Sequence, residues 1–152
     1  MKTRTQIIAE LKRYFNVKEL VCNHVFAKHG DKSWMFLSTP YLETLLFLRQ
    51  DLLKVPMVCN TNTLKQRGLR CNLCQIVKDK SAINVSYLSA HVTGSGGDFS
   101  SSQMSAEQMR QIIKAHADEL PCPVRIERDV NWLHIDVYDD MSTDAKVVEF
   151  NG

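Results

Sequence analysis

A chain of 152 residues is long enough for one domain with a real hydrophobic core. Its composition is 44% hydrophobic and 24% charged, and a net charge of +2 with no basic stripe gives a nucleic-acid partner no footing. No run is apolar and long enough to insert in a membrane, no apolar stretch follows the basic residues of the N-terminus, and five cysteines do not make a small disulfide scaffold, so the expected compartment at synthesis is the cytoplasm.

Residues 4–15 carry Ile7, Ile8, Leu11 and Phe15 at helical spacing. Thr39-Pro40 opens a second helix, with the proline near its first position. Leu42, Leu45, Leu46, Leu48, Leu52 and Leu53 make that helix apolar on one side, which predicts the central core helix. Val55 to Cys59 suits a short strand. Residues 60–88 are irregular, with Asn60, Asn62, Gly68 and Asn72, and read as a long functional loop.

Ser105-Ala106-Glu107-Gln108 is a capping box, and the helix behind it turns Met109, Ile112, Ile113 and Leu120 inward. Val124–Glu127 and Leu133–Val137 alternate with period two and predict a hairpin turning tightly through Asp129-Val130-Asn131. Lys146–Phe150 adds a last short strand. Helices followed by mixed strands and one helix predict an α+β class: one domain, a small mixed or antiparallel sheet and flanking helices.

The chemistry concentrates in two segments. The first runs Ser89-Ala90-His91-Val92-Thr93-Gly94-Ser95-Gly96-Gly97-Asp98, the second Trp132-Leu133-His134-Ile135-Asp136. His91, Asp98 and His134 offer three ligand types suited to zinc with a position left open, the mark of a catalytic site. The glycines between His91 and Asp98 let the chain fold back, and Phe99 anchors a strand inward. On the second strand Trp132, His134 and Asp136 share one face, and the aliphatic face of Leu133, Ile135 and Val137 is the one expected to be buried. A tight hairpin sets Glu127 across from Trp132 and Arg125 across from His134, which puts Glu127 on the His134 side. A carboxylate there suits metal-assisted amide hydrolysis as the base. A Ser-x-His or a His-x-Asp alone is ordinary; the joint pattern beside a long irregular loop is what singles these residues out.

Cys71-x-x-Cys74 competes for attention. Its plain reading is packed thiols or a loop tie. Half of a structural zinc site, with Cys22, His24 or His29 as partners, and a redox pair are the alternatives; no βαβ pattern supports a thioredoxin-like role.

Ser89-x-His91-x-x-Gly94-x-Gly96-x-Asp98 followed by Trp132-x-His134-x-Asp136 resembles the zinc D-alanyl-D-alanine carboxypeptidase family of phage endolysins and bacterial murein peptidases, which shares its fold with the Hedgehog signalling domain. Phe15–Leu20 resembles the family's lead-in segment, Leu45–Leu53 its core helix, and Arg67-Gly68-Leu69-Arg70 its arginine-bearing segment. The resemblance implies zinc on His91, Asp98 and His134, and Arg70 on a substrate carbonyl or its oxyanion. It implies peptidoglycan stem peptides as substrate, cut between D-residues or between L-Ala and D-Glu after release to the cell wall or within a phage lysis system. Two positions depart from the pattern. Gly96 stands where the family usually has Ala, a change expected to cost little and to loosen the loop. Asn131 stands where several relatives have the catalytic carboxylate, which leaves Glu127 first and Asp129 second as the base, with Asp136 orienting the site.

Overall fold

The chain opens on a capping box: the Gln6 N–H donates to the Thr3 hydroxyl, and the Thr3 N–H donates to the Gln6 side chain. In the computed structural model, which describes residues 1–152, this starts α1 (Arg4–Leu11), whose Ile7 and Leu11 are buried. Asn16 and Glu19 form a second box that starts α2 (Val17–Leu20), and α3 (Asn23–His29) follows, running into a 3-10 segment, Gly30–Phe36. These short elements lack the length that makes periodicity readable in sequence.

Pro40 sits in the first turn of α4 (Thr39–Phe47), and Leu42, Leu45 and Leu46 are buried along it. The predicted core helix is therefore present, but it ends earlier than expected. Residues Leu48–Leu52 widen into a π-helical turn, closed by the Leu53 N–H donating to the Leu48 carbonyl. Val55–Cys59 is not a strand; Val58 only bridges Ser100. Nor is 60–88 one open loop, since α5 (Gln75–Ala82) occupies its middle.

Four strands make one mixed sheet: β1 (Gly96–Phe99), β2 (Val124–Glu127), β3 (Leu133–Asp136) and β4 (Val147–Phe150), in the order β1-β3-β2-β4, with β2 and β4 parallel. Between β1 and β2 lies α6 (Ala106–Ala115), which begins at the expected Ser105–Gln108 box. It brings Met109 and Ile113 onto the sheet's core face with Phe99, Ile126, Leu133 and Ile135. Ile112 is only half-buried beside them. The class is α+β, and no helix is long and apolar enough to cross a membrane.

The hairpin corrects the expected register. Arg125 pairs with Asp136 and Ile126 with Ile135, so Glu127 falls across from His134 rather than Trp132. The cause is Arg110. Its buried guanidinium donates to the carbonyls of Val130 and Trp132, both at 3.0 Å, and the loop opens around it instead of turning tightly. The slip is two residues, so each side chain keeps its face.

Candidate metal centre

Register builds the site. Asp98 on β1 pairs with His134 on β3, which sets both side chains on the sheet face away from the core. His91 arrives from the turn before β1. Gly94 makes that turn with φ +69°, and a Cβ there would strike the Phe36 carbonyl. The ligand atoms of His91, Asp98 and His134 lie within 4.8 Å of one another, and these three residues could hold a metal ion.

Each imidazole is oriented from outside the group. His91 Nδ1 donates to the Gly68 carbonyl at 2.9 Å, leaving Nε2 for the site, 3.4 Å from Asp98 Oδ1. His134 turns Nδ1 to Asp98 Oδ1 at 2.7 Å and Nε2 to Asp136 Oδ2 at 2.8 Å. Arg125 then grips Asp136 through two bonds of 3.0 Å, and the Tyr138 N–H adds a third. Arg125 is itself held between the rings of Tyr138 and Phe150. The chain Arg125–Asp136–His134 fixes the ring that faces Asp98.

The electrostatics follow. Burial opposes charge on His134, but hydrogen bonds to Asp136 and Asp98 outweigh it and hold the imidazole at about 9. Burial likewise opposes the Asp98 carboxylate, yet the two histidines hold its pKa well below the ordinary range. His134 Nδ1 and Asp98 Oδ1, which lie 2.7 Å apart, are also atoms that a metal ion would need, so metal and proton compete for them.

Arg70 comes to the edge of the group, its Nη2 3.8 Å from Asp98 Oδ2, and is anchored by the Gln66 carbonyl and the Tyr87 hydroxyl. Asp136 is fully buried behind His134, where an orienting residue belongs. Glu127 lies on the His134 face of β2, outside the group of converging ligand atoms; a Cβ on Gly152 would overlap its carboxylate. Asp129 is exposed in the loop with φ +63° and is not brought to the group. Both faces of β3 are buried, the His134 and Asp136 face as well as the aliphatic one, because Phe150 lays its ring edge-on to His134. Trp132 lies just outside β3, under the Arg67 guanidinium.

Gly96 has a tighter role than expected. A Cβ would stand 2.5 Å from the Asp136 Cβ and 2.9 Å from the Ile135 carbonyl, so the glycine is what lets β1 approach β3. Sequence reasoning missed Arg125, Phe150 and the Gly68 carbonyl. The alternation of β2 placed Arg125 on the right face, but only the true register sets it beside Asp136.

A second group converges elsewhere. Cys22, His24, Cys71 and Cys74 also bring their ligand atoms within 4.8 Å of one another and could hold a metal ion. His29 does not join them; its ring packs on Phe36.

No protein-family model matches the chain, and no curated protein or solved structure matches it. The chemistry therefore rests on these residues and their geometry.

Proposed function

We propose that this chain is a zinc-dependent peptidase that hydrolyses peptidoglycan stem peptides, with His91, Asp98 and His134 as the zinc ligands. The observation that carries the metal chemistry is the donor set: two imidazoles, each held from behind, and one carboxylate converge, and three protein ligands leave a position free. The substrate class rests on the resemblance of the Ser89–Asp98 and Trp132–Asp136 segments to the murein peptidases.

Zinc held by His91, Asp98 and His134 would supply a Lewis acid and lower the pKa of a water. The residues of the chain do the rest. Asp136 and Arg125 keep the His134 ring in place. Arg70 offers fixed positive charge at the rim, where a carbonyl oxygen gains negative charge during attack. A Glu127 carboxylate oxygen takes the proton from the attacking water and delivers it to the leaving amine nitrogen.

A second reading is a non-catalytic, zinc-stabilised module that binds the cell wall. It draws on one observation: Glu127 stands outside the converging group with the chain end against its carboxylate. Purified protein incubated with muropeptides, with and without a chelator, separates the two by product mass. Chelator-sensitive cleavage is the expected result, and the masses name the bond. Intact muropeptides from zinc-loaded protein would overturn the peptidase in favour of the module.

A further inference from the structure

We propose that Cys22, His24, Cys71 and Cys74 bind a second zinc ion, closed to substrate and independent of the peptidase reading. Two short pieces of chain supply the four ligands, Cys22-x-His24 and Cys71-x-x-Cys74. They are brought side by side by a parallel bridge between Val21 and Leu69, in which the Leu69 N–H donates to the Leu20 carbonyl and the Cys22 N–H donates to the Leu69 carbonyl, both at 2.9 Å. Gly68 permits this close approach, since a Cβ there would strike the Leu20 carbonyl.

The spacing of His24 from two of the sulfurs suits a shared zinc ion, and all four ligand atoms lie within 4.8 Å of one another. Zinc bonds of about 2.3 Å to sulfur and about 2.0 Å to nitrogen place neighbouring ligands about 3.5–3.8 Å apart. His24 Nδ1 lies 3.6 Å from Cys71 Sγ and 3.8 Å from Cys74 Sγ. The Cys71–Cys74 turn is already formed: the Cys74 N–H donates to the Cys71 carbonyl at 3.0 Å, and the Leu73 N–H points at Cys71 Sγ at 3.4 Å. All five cysteines are free thiols. A redox pair would employ Cys71 and Cys74 alone and leave Cys22 and His24 converging on them without a purpose. A Cys3His zinc employs all four, and a full set of protein ligands leaves no open position, which makes the ion structural.

The place of this ion in the fold gives it a consequence. Residues 68–74 carry Cys71 and Cys74 at one end. At the other, the Gly68 carbonyl orients His91 and Arg70 reaches Asp98. Zinc at the four-ligand group clamps that segment to the start of α3 and so holds the support of the first site.

The test counts metal in the full-length protein. Native mass spectrometry of zinc-loaded wild type should find two zinc ions per chain, Cys74→Ser one and His91→Ala one. Cobalt(II) reconstitution covers the case in which the serine variant misfolds. Wild type and His91→Ala should both show near-ultraviolet thiolate-to-cobalt charge-transfer absorption with intense tetrahedral visible bands. One zinc per chain in wild type that survives Cys74→Ser overturns the site. So does a cobalt protein without thiolate absorption, or a Cys71–Cys74 disulfide formed in the zinc-loaded protein.

Discussion

The two ligand groups differ in how they are built. The Cys22/His24/Cys71/Cys74 group joins the start of α3 to the turn before α5, outside the sheet, and His24 is exposed while Cys22 and Cys74 are buried. In the His91/Asp98/His134 group, Asp98 and His134 sit on paired strands and His91 comes from the turn before β1; all three are buried, with Gly68 behind His91 and Asp136 and Arg125 behind His134. Three thiolates and an imidazole that close on an ion suit stability. Two imidazoles and a carboxylate around a free position are the donor set proposed for chemistry. The difference teaches where precision is located: the sheet fixes the three-ligand group, and the helix starts at α3 and α5 hold the segment that supports it.

The largest effect expected from breaking this division is at His134. His134→Ala should bring muropeptide hydrolysis down to the chelated background and leave one zinc bound at the cysteine group. Measurable hydrolysis by that variant would remove His134 from the proposed site, and loss of both ions would collapse the separation into a single coupled site. Glu127→Gln comes next. It should keep both zinc ions and lower turnover by about 10²–10⁴-fold, the range of a lost general base. Unchanged turnover removes Glu127 from the mechanism and leaves Asp129, which would then have to move from its exposed turn.

Sequence carried the three-ligand group further than the four-ligand one. His91, Asp98 and His134 were legible because glycines announce a fold-back and strand alternation assigns a face without knowledge of register. The cysteine group was half legible: Cys71-x-x-Cys74 is visible as a motif, but Cys22 and His24 join it through the Val21–Leu69 bridge, and no local spacing encodes a contact across that much chain. The hairpin register failed for a related reason. The loop is shaped by Arg110, a buried charge from another helix, where a reading of α6 looked only at its apolar positions. The helices α2, α3 and α5 escaped because they are too short to show a period, and α3 and α5 follow Cys22 and Cys74 with no side-chain cap to announce them. The core helix, the final helix, β2, β3 and β4 were visible in outline, β1 only through Phe99, and the strand expected at Val55–Cys59 does not form.

Arg125→Ala sharpens the same comparison at intermediate size. Removing the guanidinium leaves Asp136 buried without its bidentate partner, and the His134 ring loses its brace. Loss of such an outer partner typically costs about 10–100-fold in metal affinity or activity. Zinc affinity at the three-ligand group should fall by that factor, with the charge-transfer absorption of the cobalt-loaded cysteine group unchanged. Equal weakening of both groups would show that the brace acts on the whole fold. Arg125→Lys, which keeps the charge and loses the fork, should recover only part of the affinity.

The smallest effect belongs to Gly96→Ala. The resemblance to the murein peptidases suggests that alanine is acceptable here, whereas the packing says otherwise. A methyl group at Gly96 would press on the Asp136 Cβ and the Ile135 carbonyl, and neither can withdraw without disturbing the β1–β3 ladder that pairs Asp98 with His134. Overpacking of this kind costs about 1–3 kcal/mol. Chemical denaturation should show a loss in that range, together with weaker zinc binding at the three-ligand group alone, because the strain falls between the strands and not at the cysteine loops. A variant as stable as wild type would mean that β1 can shift outward and still pair, and that the strand spacing behind the three-ligand group is looser than the glycine implies.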